Sequence, residues 1–318
     1  MNILKPKFIM MIGLVASGKS TYAKKLSIKE NAIILSSDQL RLELFNNVND
    51  IEHNNIIFET IHKKAKEYLK NGENVIIDST NLSYKKRKTF LDELKKINCI
   101  KECYLIATPY ELCLQQNQLR DKHVPEYVIK KMYKSIYVPQ YFEGWNKIHI
   151  IYNTGDIKFG IKELFKGENG LNYIAQDNPH HTLTIGEHCN QCMNNIISIY
   201  HKNKENFNLD SRDYMYLLVA AQFHDIGKKF TKQFKNSKGE DTNIAHYYNH
   251  QLVSAYDSLF YLKEMDQESM LNVIQYITFH MQPYFIKTEK SKNKFIKLVG
   301  QDFYDKLMLL NQADKLAK

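Results

Sequence analysis

The sequence lacks any apolar run approaching the roughly 20 residues that a membrane-spanning helix needs. It also lacks the layout of a signal peptide, because Lys5-Pro6-Lys7 leads directly into the first predicted strand. There are only five cysteines, an odd number without paired zinc spacing, which is typical of a reducing compartment. Internal repeats and low-complexity tracts are absent as well. We therefore expect a cytoplasmic protein that has no membrane partner.

The strongest pattern is a glycine-rich loop between a predicted strand and a predicted helix. Its spacing, Gly13-x4-Gly18-Lys19-Ser20, is typical of P-loop nucleotide enzymes, with an ordinary glycine turn as the alternative. The glycines allow close approach, so that the loop amides surround an anion at the helix N-terminus. Lys19 then meets the β- and γ-phosphates, while the Ser20 hydroxyl binds Mg2+. We expect ATP and Mg2+ to bind at Gly13, Ala16, Ser17, Gly18, Lys19, Ser20 and Thr21.

Residues 1–155 alternate between short apolar strands and helices, which predicts an α/β domain with a parallel sheet covered on both faces. Ligands of such sheets lie beyond the carboxyl ends of the strands. Two aspartates, Asp38 and Asp78, fall there together with the glycine-rich loop. The predicted strands are residues 5–12, 31–35, 74–78, 103–107 and 148–151.

Asp38 begins the segment that follows the second predicted strand, where it is placed to accept the proton of an acceptor alcohol. Arg41, one helical turn later, is placed to bind an acceptor phosphate. The alternative is that Ser37 or Asp38 only caps the next helix. Asp78 either orients Mg2+ through water or simply ends a strand.

Several motifs in order resemble the polynucleotide 5′-kinase branch of the P-loop phosphotransferases over roughly the first 150 residues. They are GLVASGKST, SSDQLR, VIIDSTN followed by Arg87, and the segment from Cys113 to Trp145. The resemblance implies that Asp38 is the general base, that Arg41 contacts the acceptor strand, and that residues 113–132 form a lid over ATP. An arginine usual in that lid is Gln116 here, which leaves Arg120, with Lys122 and Lys131 nearby.

The second half of the chain has helical apolar spacing without a strand pattern of useful length, which predicts an all-α domain over 173–318. Periodicity lapses before it, so we predict a linker at 156–172. The two thiols of Cys189-x2-Cys192 lack a second ligand pair and are interpreted as inert. The predicted helices are 183–202, 211–224, 243–263, 267–281, 292–299 and 302–317.

Histidines and aspartates that suit metal ions recur along these helices. The adjacent pair His224-Asp225 ends an apolar helix, where a buried carboxylate is costly unless a cation neutralises it. The set and its order resemble the HD superfamily of metal-dependent phosphohydrolases over roughly 173–318. This resemblance implies two metals: one bound by His188, His224, Asp225 and Asp314, the other by His250 and His280, with Asp225 bridging as the catalytic carboxylate.

Other polar residues of the second half are assigned by the same resemblance or by their ligand type. Imidazole and carboxylate ligands suit Mn, Fe, Co, Ni or Zn without selecting among them. His181 and Lys228 are candidate phosphate-binding groups, and His246 is given a supporting role near the metals.

A net charge of +9 favours anionic partners such as nucleic acid, although a lysine-rich residue usage alone gives the same balance. Taken together, the motifs predict a bifunctional nucleic-acid end-healing enzyme. It would phosphorylate 5′-hydroxyl ends of RNA or DNA with ATP and remove 3′-phosphates or open 2′,3′-cyclic phosphates. The alternatives are a nucleoside or other small-molecule kinase joined to a nucleotide phosphohydrolase, and a nucleotide-sensing regulatory protein.

Overall fold

A computed structural model of the chain describes residues 5–48, 50, 52–121, 123–179, 182–202 and 209–317. The chain divides into two compact units between Asp156 and Ile157. Among the described residues, no helix combines the length and the apolar character needed to cross a membrane. The predicted linker at 156–172 needs correction, because Ile161–Lys166 is a helix of the second unit. Its Phe165 is buried, which explains why this segment packs instead of remaining a linker.

The first unit has the predicted alternation of strands and helices. Its strands are β1 (Lys7–Ile12), β2 (Ala32–Ser36), β3 (Asn74–Asp78), β4 (Ile100–Ala107) and β5 (Lys147–Tyr152). Its helices are α1 (Lys19–Glu30), α2 (Ser37–Phe45), α3 (Asn54–Lys70), α4 (Tyr84–Glu93), α5 (Tyr110–Gln118) and α6 (Glu126–Tyr133). The prediction of an α/β domain is therefore confirmed.

The five strands form one parallel sheet in the order β2-β3-β1-β4-β5. The continuous apolar run of β1 is buried along Phe8–Ile12, as a central strand covered on both faces requires. Because all strands are parallel, their carboxyl ends lie at one edge of the sheet. That edge carries the glycine-rich loop after β1, Asp38 after β2, and Asp78 at the end of β3.

A buried ion pair connects α4 to the segment before β5. Arg87 donates from Nε and Nη2 to the two carboxylate oxygens of Glu143, at 2.7 and 2.6 Å. Both side chains are at most 1% exposed, and Arg87 Nη1 donates to three backbone carbonyls. Trp145, the single tryptophan, donates its indole N–H to Glu143 at 3.1 Å. The pair is tolerated in the interior because its hydrogen bonds compensate for the loss of water.

We predict that Arg87→Met lowers the free energy of unfolding of the first unit by about 3–5 kcal/mol, because the Glu143 carboxylate then stays buried without its cation. The measurement is urea unfolding followed by the fluorescence of Trp145. The control is Lys66→Met, which removes a partly exposed pair with Glu93 at 2.8 Å and is expected to cost less than about 1 kcal/mol. Equal effects of the two variants would contradict the prediction.

The second unit is mainly helical. Its helices are α7 (Ile161–Lys166), α8 (Ile185–Lys202), α9 (Ser211–Phe223), α10 (Lys228–Thr231), α11 (His250–Tyr261), α12 (Gln267–Phe279), α13 (Gln282–Phe285), α14 (Glu289–Val299) and α15 (Gln301–Leu316). The helices α8, α9, α11, α12 and α15 pack on one another through buried apolar side chains. The predicted helical region after the first unit is confirmed.

A two-stranded antiparallel hairpin, β6 (Gln233–Lys235) and β7 (Asp241–His246), corrects the all-α prediction for this unit. The predicted helix 243–263 is wrong at its start, because α11 begins at His250 after Asn249 in the left-handed region (φ 64°). The turn of the hairpin is fixed by Asn236, whose side-chain oxygen accepts two backbone N–H groups, and by Gly239 at φ 86°. This local turn chemistry outweighs the helical spacing of the apolar residues.

Candidate functional site

The loop between β1 and α1 has a backbone that requires glycine at two positions. Gly13 has φ 150°, and a Cβ atom there would lie 2.9 Å from the carbonyl oxygen of Ile106. Gly18, at φ 89°, caps the N-terminus of the 12-residue helix α1. Ser20 and Thr21 are exposed at the start of that helix. The loop therefore offers an open helix N-terminus, at which an anion is favoured.

Lys19 supplies a buried cation to this loop. Its ammonium group bonds to the carbonyl oxygen of Leu14 and lies 3.4 Å from Ser17 Oγ. Burial lowers the pKa of Lys19 to about 8, although the negative charges of Asp78 and Asp38 act in the opposite direction. Within the described residues, no carboxylate lies at ion-pair distance from Lys19. An anion that enters the loop therefore meets a cation that lacks a direct counter-ion.

Asp38 does not cap α2, which removes the alternative role considered for it. The cap is Ser36, whose Oγ accepts the N–H of Gln39 at 3.4 Å. Asp38 Oδ1 instead accepts from Arg41 Nη1 at 2.8 Å, and the side chain of Asp38 is 59% exposed. Arg41 Nη2 donates to Asn54 at 2.8 Å. The guanidinium group thus holds an accessible carboxylate at the sheet edge where an acceptor would bind.

Arg41 has spare donor capacity beside this carboxylate. Its Nε is buried and has no hydrogen-bond partner within the described chain. An unpaired buried N–H is unfavourable, so an acceptor phosphate there would gain a charge-assisted hydrogen bond.

Asp78 and Arg120 both act on Lys19 through charge. Asp78 is buried at the end of β3, and its charge raises the pKa of Lys19, while Arg120 lowers it. Arg120 is exposed just after α5, within the predicted lid formed by α5 and α6. Gln116 lies half-buried on α5, and Lys122 lies outside the described residues. Arg120 is therefore the arginine of the lid that lies within electrostatic range of the loop.

Four histidines and two aspartates of the second unit come together in one largely buried centre. Two groups of ligand atoms each lie within 4.8 Å of one another: His188, His224 and Asp314 form the first, and Asp225, His250 and His280 the second. His188 comes from α8, and His224 follows α9. His250 begins α11, His280 follows α12, and Asp314 lies on α15.

Asp225 divides its two oxygens between these groups. Its Oδ2 lies 3.2 Å from His188 Nε2 and 3.3 Å from His224 Nε2. Its Oδ1 lies 3.1 Å from His250 Nε2 and 3.7 Å from His280 Nε2. That Oδ1 atom is buried without a hydrogen-bond partner within the described residues. The two oxygens of this carboxylate therefore face the two ligand groups, so that it could contribute to a cation in either.

The imidazole rings are oriented by backbone carbonyls. The Nδ1 atoms of His188, His224, His250 and His280 lie 2.6, 2.8, 2.8 and 2.8 Å from carbonyl oxygens, so each ring donates there and directs its Nε2 inward. Burial, assisted by His224 and His250, lowers the pKa of His280 to about 3. Burial also opposes protonation of His188 and His224, but Asp225 and Asp314 outweigh it and raise the pKa of both rings. A divalent cation would displace those protons, and the imidazoles and carboxylates present fit a pair of such cations.

Lys228, a predicted phosphate-binding group, adjoins this centre. Its Nζ lies 2.6 Å from Asp225 Oδ2 and 2.7 Å from the side-chain oxygen of Gln176, and 5.4 Å from the ring centre of Tyr247. Neither Gln176 nor Tyr247 was predicted, because neither belongs to a local pattern. The predicted phosphate-binding His181 lies outside the described residues, and His246 at the end of β7 is absent from both ligand groups.

Gly227 allows the turn after Asp225 to pack directly against α11. A Cβ atom at Gly227 would lie 2.5 Å from the carbonyl oxygen of His250 and 2.5 Å from the backbone nitrogen of Ser254. The backbone N–H of Gly227 donates to Ser254 Oγ at 2.9 Å. The absence of a side chain therefore lets the turn after Asp225 approach α11 closely enough for His250 to reach Asp225.

Three further residues near the centre, one tyrosine and two cysteines, belong to neither ligand group. Tyr284 donates its hydroxyl to Asp314 Oδ2 at 3.0 Å, a contact that the sequence did not predict. Cys189 and Cys192 are fully buried on α8, and burial raises the pKa of the Cys189 thiol to about 11. A protonated, inaccessible thiol is unreactive, in agreement with the interpretation of these cysteines as inert.

Comparisons with known proteins concern mainly kinases. Residues 8–139, within the first unit, match the family model described as an AAA domain. The chain is 30% identical over 184 residues to the L-seryl-tRNA(Sec) kinase of Methanococcus maripaludis, which covers 56% of this chain and 69% of that kinase.

Solved structures that are similar over part of the chain include a chain from an RNA repair complex and a gluconokinase. A chain from a Pnkp1/Rnl/Hen1 RNA repair complex is 25% identical over 40% of this chain, with a TM-score of 0.35. This protein spans only 42% of that chain. A gluconokinase from Sinorhizobium meliloti 1021 is 13% identical, with a TM-score of 0.35, over 46% of this chain and 83% of its own.

The ligand geometry predicts a cation stoichiometry that can be measured. After saturation with Mn2+ and removal of excess metal, we expect two cations per wild-type chain by atomic spectroscopy. Asp225→Asn should lose both, because both groups share this carboxylate, whereas His280→Gln should lose one. The control is His246→Gln, which should keep two. Loss of a cation from the His246 variant would contradict the assignment of ligands.

Proposed function

The chain belongs to the family of P-loop kinases that includes L-seryl-tRNA(Sec) kinase, and we propose that it is a bifunctional enzyme that repairs nucleic-acid ends. Its first unit transfers the γ-phosphate of ATP to the 5′-hydroxyl of RNA or DNA. Its second unit removes a 3′-phosphate or opens a 2′,3′-cyclic phosphate. The proposal is supported by one observation: each unit holds a group of residues suited to phosphate chemistry, the Lys19 loop in the first and the carboxylate of Asp225 between two groups of histidines in the second.

The transfer reaction follows from the groups at the sheet edge. The loop amides and Lys19 hold the triphosphate, and Mg2+ beside Ser20, when bound, neutralises charge on the β- and γ-phosphates. The acceptor oxygen attacks the γ-phosphorus and gives its proton to the exposed carboxylate of Asp38, while ADP leaves with the electrons of the broken P–O bond. Arg41 orients Asp38 at 2.8 Å and binds an acceptor phosphate.

The hydrolytic reaction is supported by the ligand set of the second unit. His188, His224, Asp225 and Asp314 would hold one divalent cation, and Asp225, His250 and His280 a second. Such a pair, when bound, supplies Lewis-acid activation of water and of the phosphoryl group. The chain itself orients the imidazoles through backbone carbonyls and holds Lys228 beside Asp225, where it can bind a phosphate oxygen.

The similarity to L-seryl-tRNA(Sec) kinase favours a second acceptor for the kinase reaction. The match with L-seryl-tRNA(Sec) kinase supports a hydroxyl carried on the aminoacyl group of a tRNA as the acceptor. Both acceptors are alcohols attached to a polynucleotide, so Asp38 would act on either. Phosphate transfer from labelled ATP to a 5′-hydroxyl oligonucleotide, to seryl-tRNA and to free nucleosides distinguishes the two, and also tests a small-molecule kinase. Binding of ATP without transfer to any of them would favour a nucleotide sensor.

We predict that Asp38→Ala lowers the rate of phosphate transfer by about 10²–10⁴-fold, the usual contribution of a general base. Hydrolysis of 3′-phosphate ends should be unchanged, because this residue belongs to the first unit. The matched control is Glu43→Ala, another carboxylate on α2, which accepts a hydrogen bond from Gln39 at 2.8 Å. Transfer at nearly the wild-type rate by the Asp38 variant would exclude it as the base.

A substitution in the second unit should have the opposite effect: it should impair hydrolysis and leave phosphate transfer unchanged. Asp225→Asn should lower the hydrolysis of 3′-phosphate oligonucleotides by at least on the order of 10²-fold, because both cations lose a ligand. Phosphate transfer should remain at the wild-type rate. The control is Asp241→Asn, an exposed carboxylate on β7. A variant at Asp225 that still hydrolyses these ends with its metal content unchanged would refute the hydrolytic assignment.

A further inference from the structure

The helix α14 carries an exposed stripe of lysines. Lys290, Lys294 and Lys297 are spaced by four and three residues, so they share one face of the helix, and Lys287 lies just before it. All four are exposed. Phe295 lies on the opposite face, where its ring contacts Phe279 and Tyr304 at centroid distances of 5.3 and 6.3 Å. The lysine face is therefore turned away from the core.

The positive charge of this stripe is not compensated locally. Within the described chain, none of Lys287, Lys290, Lys294 and Lys297 forms an ion pair. Residues 287–297 contain five lysines and one glutamate, whereas residues 157–318 as a whole contain 20 basic and 18 acidic residues. Unpaired charge concentrated in one place attracts a polyanion and repels a second positive surface.

An exposed aromatic ring lies between this stripe and the metal centre along the chain. Phe285 is 63% exposed and lies two residues before Lys287. It directly follows Tyr284, whose hydroxyl bonds to the metal-binding Asp314 at 3.0 Å. The stripe is connected to the centre at a second point, because α14 packs on Phe279, the residue before His280. A ring exposed to this extent is accessible to a nucleic-acid base that stacks on it.

We propose that Phe285 and the lysine stripe of α14 bind a single-stranded polynucleotide whose terminal phosphate lies in the metal centre. The lysines contact backbone phosphates, and Phe285 stacks on a base near the end of the strand. Adjacent lysines of the stripe are about 4.5–6 Å apart along the helix axis, a spacing that lets one strand meet more than one of them. This inference rests on the proposed hydrolytic function and specifies its substrate as a strand rather than a mononucleotide.

The first experiment measures binding without turnover. A 3′-phosphorylated oligonucleotide, whose 5′-hydroxyl is blocked by fluorescein, is titrated with the full chain in EDTA, and its anisotropy is followed at several salt concentrations. The variant Lys290→Gln/Lys294→Gln/Lys297→Gln should bind at least about tenfold more weakly, with a salt slope smaller by about 2. The control is Lys202→Gln/Lys238→Gln/Lys263→Gln, which removes the same charge from exposed lysines elsewhere in the second unit.

The second experiment tests the aromatic contact and the reaction. Phe285→Leu should weaken binding on the order of tenfold, because stacking is lost while apolar volume is kept. The control is Phe234→Leu, an aromatic residue of β6 that is 44% exposed. In the presence of Mn2+, the lysine variant should raise KM for the oligonucleotide without lowering kcat, and should hydrolyse a nucleoside 3′-monophosphate at the wild-type rate.

The outcomes separate this inference from the proposed function. Equal effects of the lysine variant and its control, or binding of anionic vesicles in preference to the oligonucleotide, would overturn the inference. A parallel loss of mononucleotide hydrolysis would also overturn it, because the helix would then act through the fold of the centre. Selective loss of oligonucleotide binding in a chain that hydrolyses neither substrate would support the strand-binding surface and refute the hydrolytic function.

Discussion

The compensation of buried charge is the constraint on which both units depend. In the second unit, the carboxylate of Asp225 lies in an interior formed by packed helices, with four imidazoles and Lys228 around it. In the first unit, Arg87 and Glu143 satisfy each other almost completely. The difference is that Asp225 Oδ1 accepts no hydrogen bond within the described residues, although His250 Nε2 lies 3.1 Å away. A structural pair satisfies all of its polar atoms, whereas a group with an unsatisfied atom can accept a ligand there.

Residues that act through local chain geometry could be predicted from the sequence. The glycine-rich loop needs Gly13 and Gly18 for its backbone, and the pair His224-Asp225 is recognisable because two polar residues end an apolar helix. Gln176, Tyr247 and Tyr284 could not be predicted, since they reach the centre only when distant segments fold together. The same limit applies to Ser36, which caps α2 in place of its neighbours, and to the hairpin fixed by Asn236.

The candidate functional residues of the two units differ in how firmly the fold holds them. The proposed metal ligands come from helices or helix ends that pack on one another, and the Nδ1 atom of each imidazole bonds to a backbone carbonyl. Asp38 and Arg120 are exposed at the sheet edge and in the predicted lid, where a substrate can reach them. The proposed ligands, whose separation must stay fixed, are thus held by packed helices. The groups that would meet a substrate, Asp38 and Arg120, are exposed to solvent.

The strand order β2-β3-β1-β4-β5 has a kinetic consequence. Asp38 follows β2, two strands to one side of the glycine-rich loop, whereas Arg120 comes after β4 on the other side. Under the proposed function, a phosphate donor in the loop and an alcohol beside Asp38 would occupy different positions along this edge. That layout favours direct transfer between two substrates bound together, rather than a double-displacement route through a phosphorylated side chain.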